Sequence, residues 1–164
     1  MKKTIMKNLF ILFISILFIG CQQQNSNIDS GDWSGTISEN DEKTKIVKDI
    51  MLSYVNNNMA TMEKYFHPDV EISVNDNTMD FEGMVSAFSS GHDNWNDIMH
   101  SNVVATTMYY NNGMVFTNSW YDWSGTSKNT GNEVELRGYC AWGWKDDKII
   151  SVYNAFDPTK YNEN

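Results

Sequence analysis

The stretch NNGMVFTNSWYDWSGTSKNTGNEVELRGYCAWGWKDDKIISVYNAFDP, residues 111–158, decides the fold. Asn112-Gly113 is a two-residue hairpin signal between strand-like runs. Met114 to Ser124 is rich in aromatic and β-branched residues, and Gly125 to Asn132 is a polar loop. Glu133 to Trp144 alternates. Val134, Leu136, Cys140, Trp142 and Trp144 share one face, and Glu133, Glu135, Arg137 and Tyr139 the other. Lys145 to Lys148 makes a turn, Ile149 to Phe156 a last strand, and Asp157-Pro158 ends it. A meander of this kind has an apolar face that other elements must cover.

The cover lies upstream. Asp41 to Asn56 reads as a helix, capped by Asn40, with Ile46, Val47, Ile50, Met51, Tyr54 and Val55 at helical spacing. Met59 to Phe66 is a short second helix, stopped by His67-Pro68. Val70, Ile72 and Val74 alternate as a strand, turned at Asn75-Asp76-Asn77. Phe81 to Ser90 is a third helix with Gly91 at its end. Asp93 to Met99 reads as a turn or short helix, and Asn102 to Tyr110 as the strand entering the meander.

The beginning of the chain has a different character. Lys2, Lys3 and Lys7 precede an apolar run from Leu9 to Ile19 that is too short to span a bilayer. The run ends Gly20-Cys21 and a polar stretch follows, so residues 1–21 resemble a bacterial lipoprotein signal peptide ending at a lipidated Cys21. That places the protein in the bacterial cell envelope, membrane-anchored through lipid and facing the periplasm or exterior. Residues 22–42 read as a disordered polar tether, and residues 43–164 as one domain. With Cys21 acylated, Cys140 is a lone thiol, best read as a small buried hydrophobe. The net charge of −9 becomes −12 without the three leader lysines, which argues against nucleic acid as a partner.

Several phrases carry a resemblance. They are Tyr65-Phe66-His67-Pro68-Asp69-Val70, then Trp120 with Gly125-Thr126 and Thr130-Gly131, then Asp147-Lys148-Ile149, with Asp157 at the end of the last strand. Their order resembles the nuclear-transport-factor-2-like superfamily and, within it, SnoaL-like (polyketide-cyclase-like) domains, over Lys43 to Pro158. The resemblance implies an α+β fold: a cone-shaped, curved, mainly antiparallel sheet wrapped by about three N-terminal helices around a pocket. Members include cyclases, isomerases, dehydratases and non-catalytic binding domains, so the fold leaves the function open.

Compared with the superfamily's steroid isomerases, the position of the catalytic base falls on Val74, with Asp76 two residues on. The oxyanion-hole positions fall on Ile50 and Cys140, with Tyr54 one turn beyond. A proton-transfer site of that design is not visible. A cyclase-type pair would have to come from His92, His100, Asp122 and Asp157. His92 reads better as a helix-end residue, His100 as solvated at a strand start, and His67 as part of a turn. Asp122 shares a face with Trp120 and Asn118, and register decides whether that face or the one with Tyr121 and Trp123 is concave. No spacing suits a metal, and no cofactor is implied.

The aromatic residues remain. The expected ligand pocket is mostly apolar and is formed by Tyr54, Phe88, Trp95, Tyr121, Cys140 and Trp142, together with Val152, Asn154 and Phe156, which the resemblance to the isomerases implies face inward. An Asn154 facing open space would tolerate leucine at no cost. The expected function is binding of a small, partly apolar molecule without evident catalysis. The alternatives are a SnoaL-type cyclase, isomerase or dehydratase using Asp122 or His92, and a dimerising module with a filled cone. In the last, the outer face carrying Tyr139 and Tyr153 makes a homodimer.

Overall fold

A computed structural model describes residues 31–164. The elements run β1 (Gly35–Ser38), α1 (Glu42–Val55), a 3-10 helix (Met59–Tyr65), β2 (Phe66–Val74), β3 (Asn77–Met79), α2 (Phe81–Asn94), β4 (Trp95–Tyr110), β5 (Val115–Ser127), β6 (Glu133–Lys145), β7 (Lys148–Phe156) and α3 (Thr159–Asn162). All seven strands join one sheet in the order β1-β4-β5-β6-β7-β2-β3. Every pairing is antiparallel except β2 with β7. The architecture is α+β, a curved, mostly antiparallel sheet with the helices on its concave side. Residues 1–21, the expected signal peptide with its lipidation at Cys21, lie outside the described residues.

The meander follows the expected punctuation. Gly113 takes φ +85° in the β4–β5 turn, a conformation that glycine adopts without steric cost. Alternation then sets the faces. Thr117, Ser119, Tyr121 and Trp123 of β5 are buried, as are Val134, Cys140, Trp142 and Trp144 of β6. β4 is longer than expected and begins at Trp95, where a turn or short helix was expected. Its register shifts twice, between Asn96 and Met99 and between Ser101 and Val104, with Asp97 at φ +54° and Asn102 at φ +50°. Asp and Asn are the side chains that best tolerate the left-handed region. Each bulge adds bend and twist, and together they curl β4 around the helices.

α1 is capped by Asp41, one residue later than expected. Its carboxylate accepts the Thr44 amide at 2.7 Å. The buried face of α1 comprises Thr44, Ile46, Val47, Ile50, Met51 and Ser53. A polar spine joins this cap to the sheet. The Trp144 indole donates to Thr117 Oγ1 at 2.9 Å, and Thr117 and Thr107 hydroxyls lie 2.8 Å apart. Thr107 donates to Asp41 at 3.1 Å and lies 2.8 Å from the Thr44 hydroxyl. Thr44, Thr107 and Thr117 are all fully buried, and the spine satisfies their polar groups.

The tether reading fails over its last part. Residues 35–38 form β1, which pairs with β4 from Gly35↔Tyr110 to Ser38↔Thr107. Backbone hydrogen bonds also hold residues 31–34 to the β4–β5 turn: Asn111 N–H donates to Ser34 O, and Asn112 N–H to Asp32 O. A four-residue polar strand lacks the apolar alternation by which strands are read. Its stability comes from the edge of β4 that it covers.

Candidate functional site

Between α1, α2 and the concave sheet lies a cavity of about 230 Å3. α1 contributes Ile50, Met51 and Tyr54, and α2 contributes Ala87, Phe88 and Gly91. The sheet contributes His100, Ser119, Tyr121, Trp123, Leu136, Cys140, Trp142, Asn154 and Phe156. Tyr161 of α3 closes one side, with its ring 4.9 Å from that of Trp95 and 5.6 Å from that of Trp123. Gly91 permits this closure, because a Cβ there would stand 3.3 Å from the Tyr161 hydroxyl.

Of the nine expected pocket residues, seven line this cavity: Tyr54, Phe88, Tyr121, Cys140, Trp142, Asn154 and Phe156. Trp95 does not. It sits behind the wall, edge-on to Trp123 at 5.2 Å. Val152 is buried beside Trp142 in the sheet register and lies outside the lining.

Among the described residues no Asp, Glu, Lys or Arg lines the cavity. Its polar groups are neutral and only partly engaged. The Trp123 indole donates to the Tyr54 hydroxyl at 2.8 Å, and the Tyr54 proton has no acceptor among the described residues. Burial pushes the Tyr54 hydroxyl up to about 12, against the opposing pull of the Trp123 bond. The Tyr121 hydroxyl donates to Asn154 Oδ1 at 2.8 Å, which leaves the Asn154 amide protons free. Tyr121 lies flat on Gly138, where a Cβ would come within 2.2 Å of its ring. Trp142 donates to Ser119 Oγ at 3.1 Å, and burial raises the Cys140 thiol well above its ordinary range.

His100 is the residue that the sequence reading missed. It does not face solvent. Its ring stacks on Tyr54 with centroids 5.1 Å apart and tilts against Tyr121 at 4.5 Å. Burial lowers its pKa to about 4, opposed by a hydrogen bond that the imidazole donates to the Met51 backbone, so the imidazole is neutral near pH 7. Its Nδ1 is buried without a hydrogen-bond partner.

The two residues of the enzyme alternative lie elsewhere. Asp122 is on the convex face, held by Asn102 Nδ2 at 2.7 Å and paired with Arg137 at 3.4 Å. Register resolves the open question: Tyr121 and Trp123 point into the cone, and Trp120 and Asp122 point out. His92 sits at the end of α2, where its Nε2–H donates to the Tyr54 carbonyl at 2.8 Å and closes the end of α1. Asp157 accepts the Thr159 amide at 3.0 Å, and hydrogen bonds from Thr159 lower its pKa. His67 Nδ1 accepts the Asp69 amide at 3.1 Å. Among the described residues no group of three or more His, Cys, Asp or Glu is placed to hold a metal ion.

No protein-family model and no curated protein matches the chain. Solved structures do. The fold is similar to a candidate polyketide cyclase of Xanthomonas campestris pv. campestris (TM-score 0.61, 16% identity, 72% of this chain and 92% of that one). It is also similar to an NTF2-like protein of Burkholderia thailandensis (TM-score 0.57, 20% identity, 73% and 93%). A candidate SnoaL-like polyketide cyclase of Jannaschia gives a TM-score of 0.55 at 9% identity, covering 72% and 87%. At these identities the likeness is one of fold alone.

Proposed function

We propose that this chain is a lipid-anchored cell-envelope protein whose cone binds a small, uncharged, partly apolar molecule. The observation that carries the reading is the cavity's combination of apolar walls with the spare donors of Tyr54 and Asn154. An ionised ligand would lose hydration there without gaining a countercharge. Binding is favoured over turnover because among the described residues no carboxylate lines the cavity, and burial lowers the His100 pKa to about 4, far below the near-neutral value that suits a general base. Calorimetric titration with acetophenone tests this, since its ring suits the walls and its carbonyl the donors. Acetophenone should bind about fivefold more tightly than ethylbenzene, the worth of one net hydrogen bond. Benzoate should not bind. Equal affinity for acetophenone and benzoate would refute the reading.

The anchor rests on Gly20-Cys21 at the end of the apolar run. Cys21→Ser should move the protein from membranes to the soluble fraction, and a variant that still pellets after a high-salt wash would refute the lipid anchor. A second association is favoured by the convex face, where Trp120 and Tyr153 are about half exposed beside Tyr139. A homodimer through this face should become monomeric on Trp120→Glu in light scattering.

A further inference from the structure

We infer that the corner of the domain formed by Trp33, Ile37 and Met114 docks on the lipid surface, an inference that rests on the Cys21 anchor proposed above. Trp33 is 66% exposed and Ile37 65%, the two most exposed large hydrophobic residues among those described. Met114, at the β4–β5 turn to which residues 31–34 are bonded, is 41% exposed. The patch is held in place. Trp33 packs edge-on against Tyr110 at 5.4 Å, and Ile37 is fixed by its pairing with Met108. Residues 31–34 are bound to the β4–β5 turn.

The same corner is where the chain leaves the domain toward Cys21. Because β1 and residues 31–34 are held to the sheet, only residues 22–30 lie between it and Cys21. Nine residues reach at most about 32 Å fully extended. A domain of this length has a radius of gyration of about 14 Å. The spacer therefore keeps the exit corner, and not the opposite end, next to the bilayer.

The chemistry of the corner suits a lipid interface. An indole edge and two aliphatic side chains partition into the headgroup region, where tryptophan is enriched. Charge does not oppose the approach as it would elsewhere on this acidic domain. Lys43 pairs with Asp147 at 3.1 Å and also donates to the Asp146 carbonyl, and Lys145 and Lys148 flank that turn. These three lysines offset Asp32, Asp146 and Asp147 at the same end of the sheet.

The test uses the full lipidated chain in phosphatidylcholine vesicles brominated high on the acyl chains, which quench only indoles inserted among them. Wild-type emission should be quenched, and the quenching should be lost in Trp33→Phe. Trp33 lies at the domain edge, so the variant keeps the fold, checked by an unchanged melting temperature. A wild-type chain that fails to sediment with vesicles overturns the anchor and the docking together. A chain that sediments but is quenched equally with and without Trp33, or not at all, overturns the docking alone. Shielding of Trp33 from acrylamide that grows with protein concentration in lipid-free detergent overturns it in favour of a second copy of the chain.

Discussion

The bond from the Tyr121 hydroxyl to Asn154 decides whether the polar end of the cavity is dry. Asn154→Leu removes the acceptor while Tyr121 stays buried. A stranded buried donor costs about 1–3 kcal/mol. The added apolar contact at the wall returns part of this, so a net loss of roughly 1–2 kcal/mol is expected. Tyr121→Phe strands Asn154 Oδ1 and should lose about 1 kcal/mol. The double variant removes both partners and should lie near wild type, which gives a coupling of about 2–3 kcal/mol. Urea denaturation of the four proteins, monitored by far-ultraviolet circular dichroism, measures it. Coupling below about 0.3 kcal/mol would mean that each group finds another partner, which here can only be cavity water. The dry-site reasoning would then fall. The sequence alone suggested that leucine at 154 costs nothing. The geometry reverses that expectation, because the partner of Asn154 is a protein hydroxyl.

Three further outcomes follow from the buried groups. His100 titrates at about 4 in the folded chain against 6.5 when unfolded. Between those values the unfolded chain takes a proton that the folded one refuses. Stability should therefore be full above pH 6.5 and fall by about 3 kcal/mol toward pH 4, whereas His100→Phe should give a flatter curve in that window. Asp41→Ala removes the cap of α1 and the acceptor of Thr107 and should lose about 2–3 kcal/mol in thermal denaturation, with Asp41→Asn losing less. Hydrogen bonds outweigh burial to lower the Asp41 pKa, so its contribution is present above the ordinary carboxylate range and lost as pH falls through the depressed value. Cys140 is buried with a raised thiol pKa and should resist iodoacetamide until urea unfolds the domain. Labelling at the rate of a free thiol would show that the cavity floor opens.

What was legible in the sequence was what periodicity carries. The alternation of residues 133–144 puts Cys140 and Trp142 on one face, and the resemblance to the isomerases adds Asn154 and Phe156 to it, while Tyr121 waits on the register. What failed did so for stated reasons. The bulges at Asp97 and Asn102 break the two-residue period, so the first half of β4 did not read as a strand and His100 was assigned to solvent. Trp95 was on the correct face but one layer too deep, because Trp123 and Tyr161 stand between it and the cavity. β1 and β3 are short edge strands whose pairing depends on partners distant in the chain. Asp122 could not be placed until the register was known, since one residue of slip reverses every side chain.

The polar spine through the sheet has a direction. An indole can only donate and a carboxylate can only accept. With Trp144 at one end and Asp41 at the other, every hydroxyl between them is left one orientation: Thr117 must give its proton to Thr107, and Thr107 to Asp41. The Thr44 hydroxyl stands beside this line, 2.8 Å from that of Thr107, and also reaches the Ser38 carbonyl at 3.3 Å. Aligned this way, each O–H points its positive end at the carboxylate that caps α1. Valine has the shape of threonine but breaks such a queue, and where it breaks decides the harm. At 44 it removes a branch. At 117 it strands one indole. At 107 it severs the junction, leaving the Thr117 proton facing a methyl group and the helix cap without its reinforcement. Position 107 is therefore the one at which β4 has least freedom to exchange a hydroxyl for a hydrocarbon.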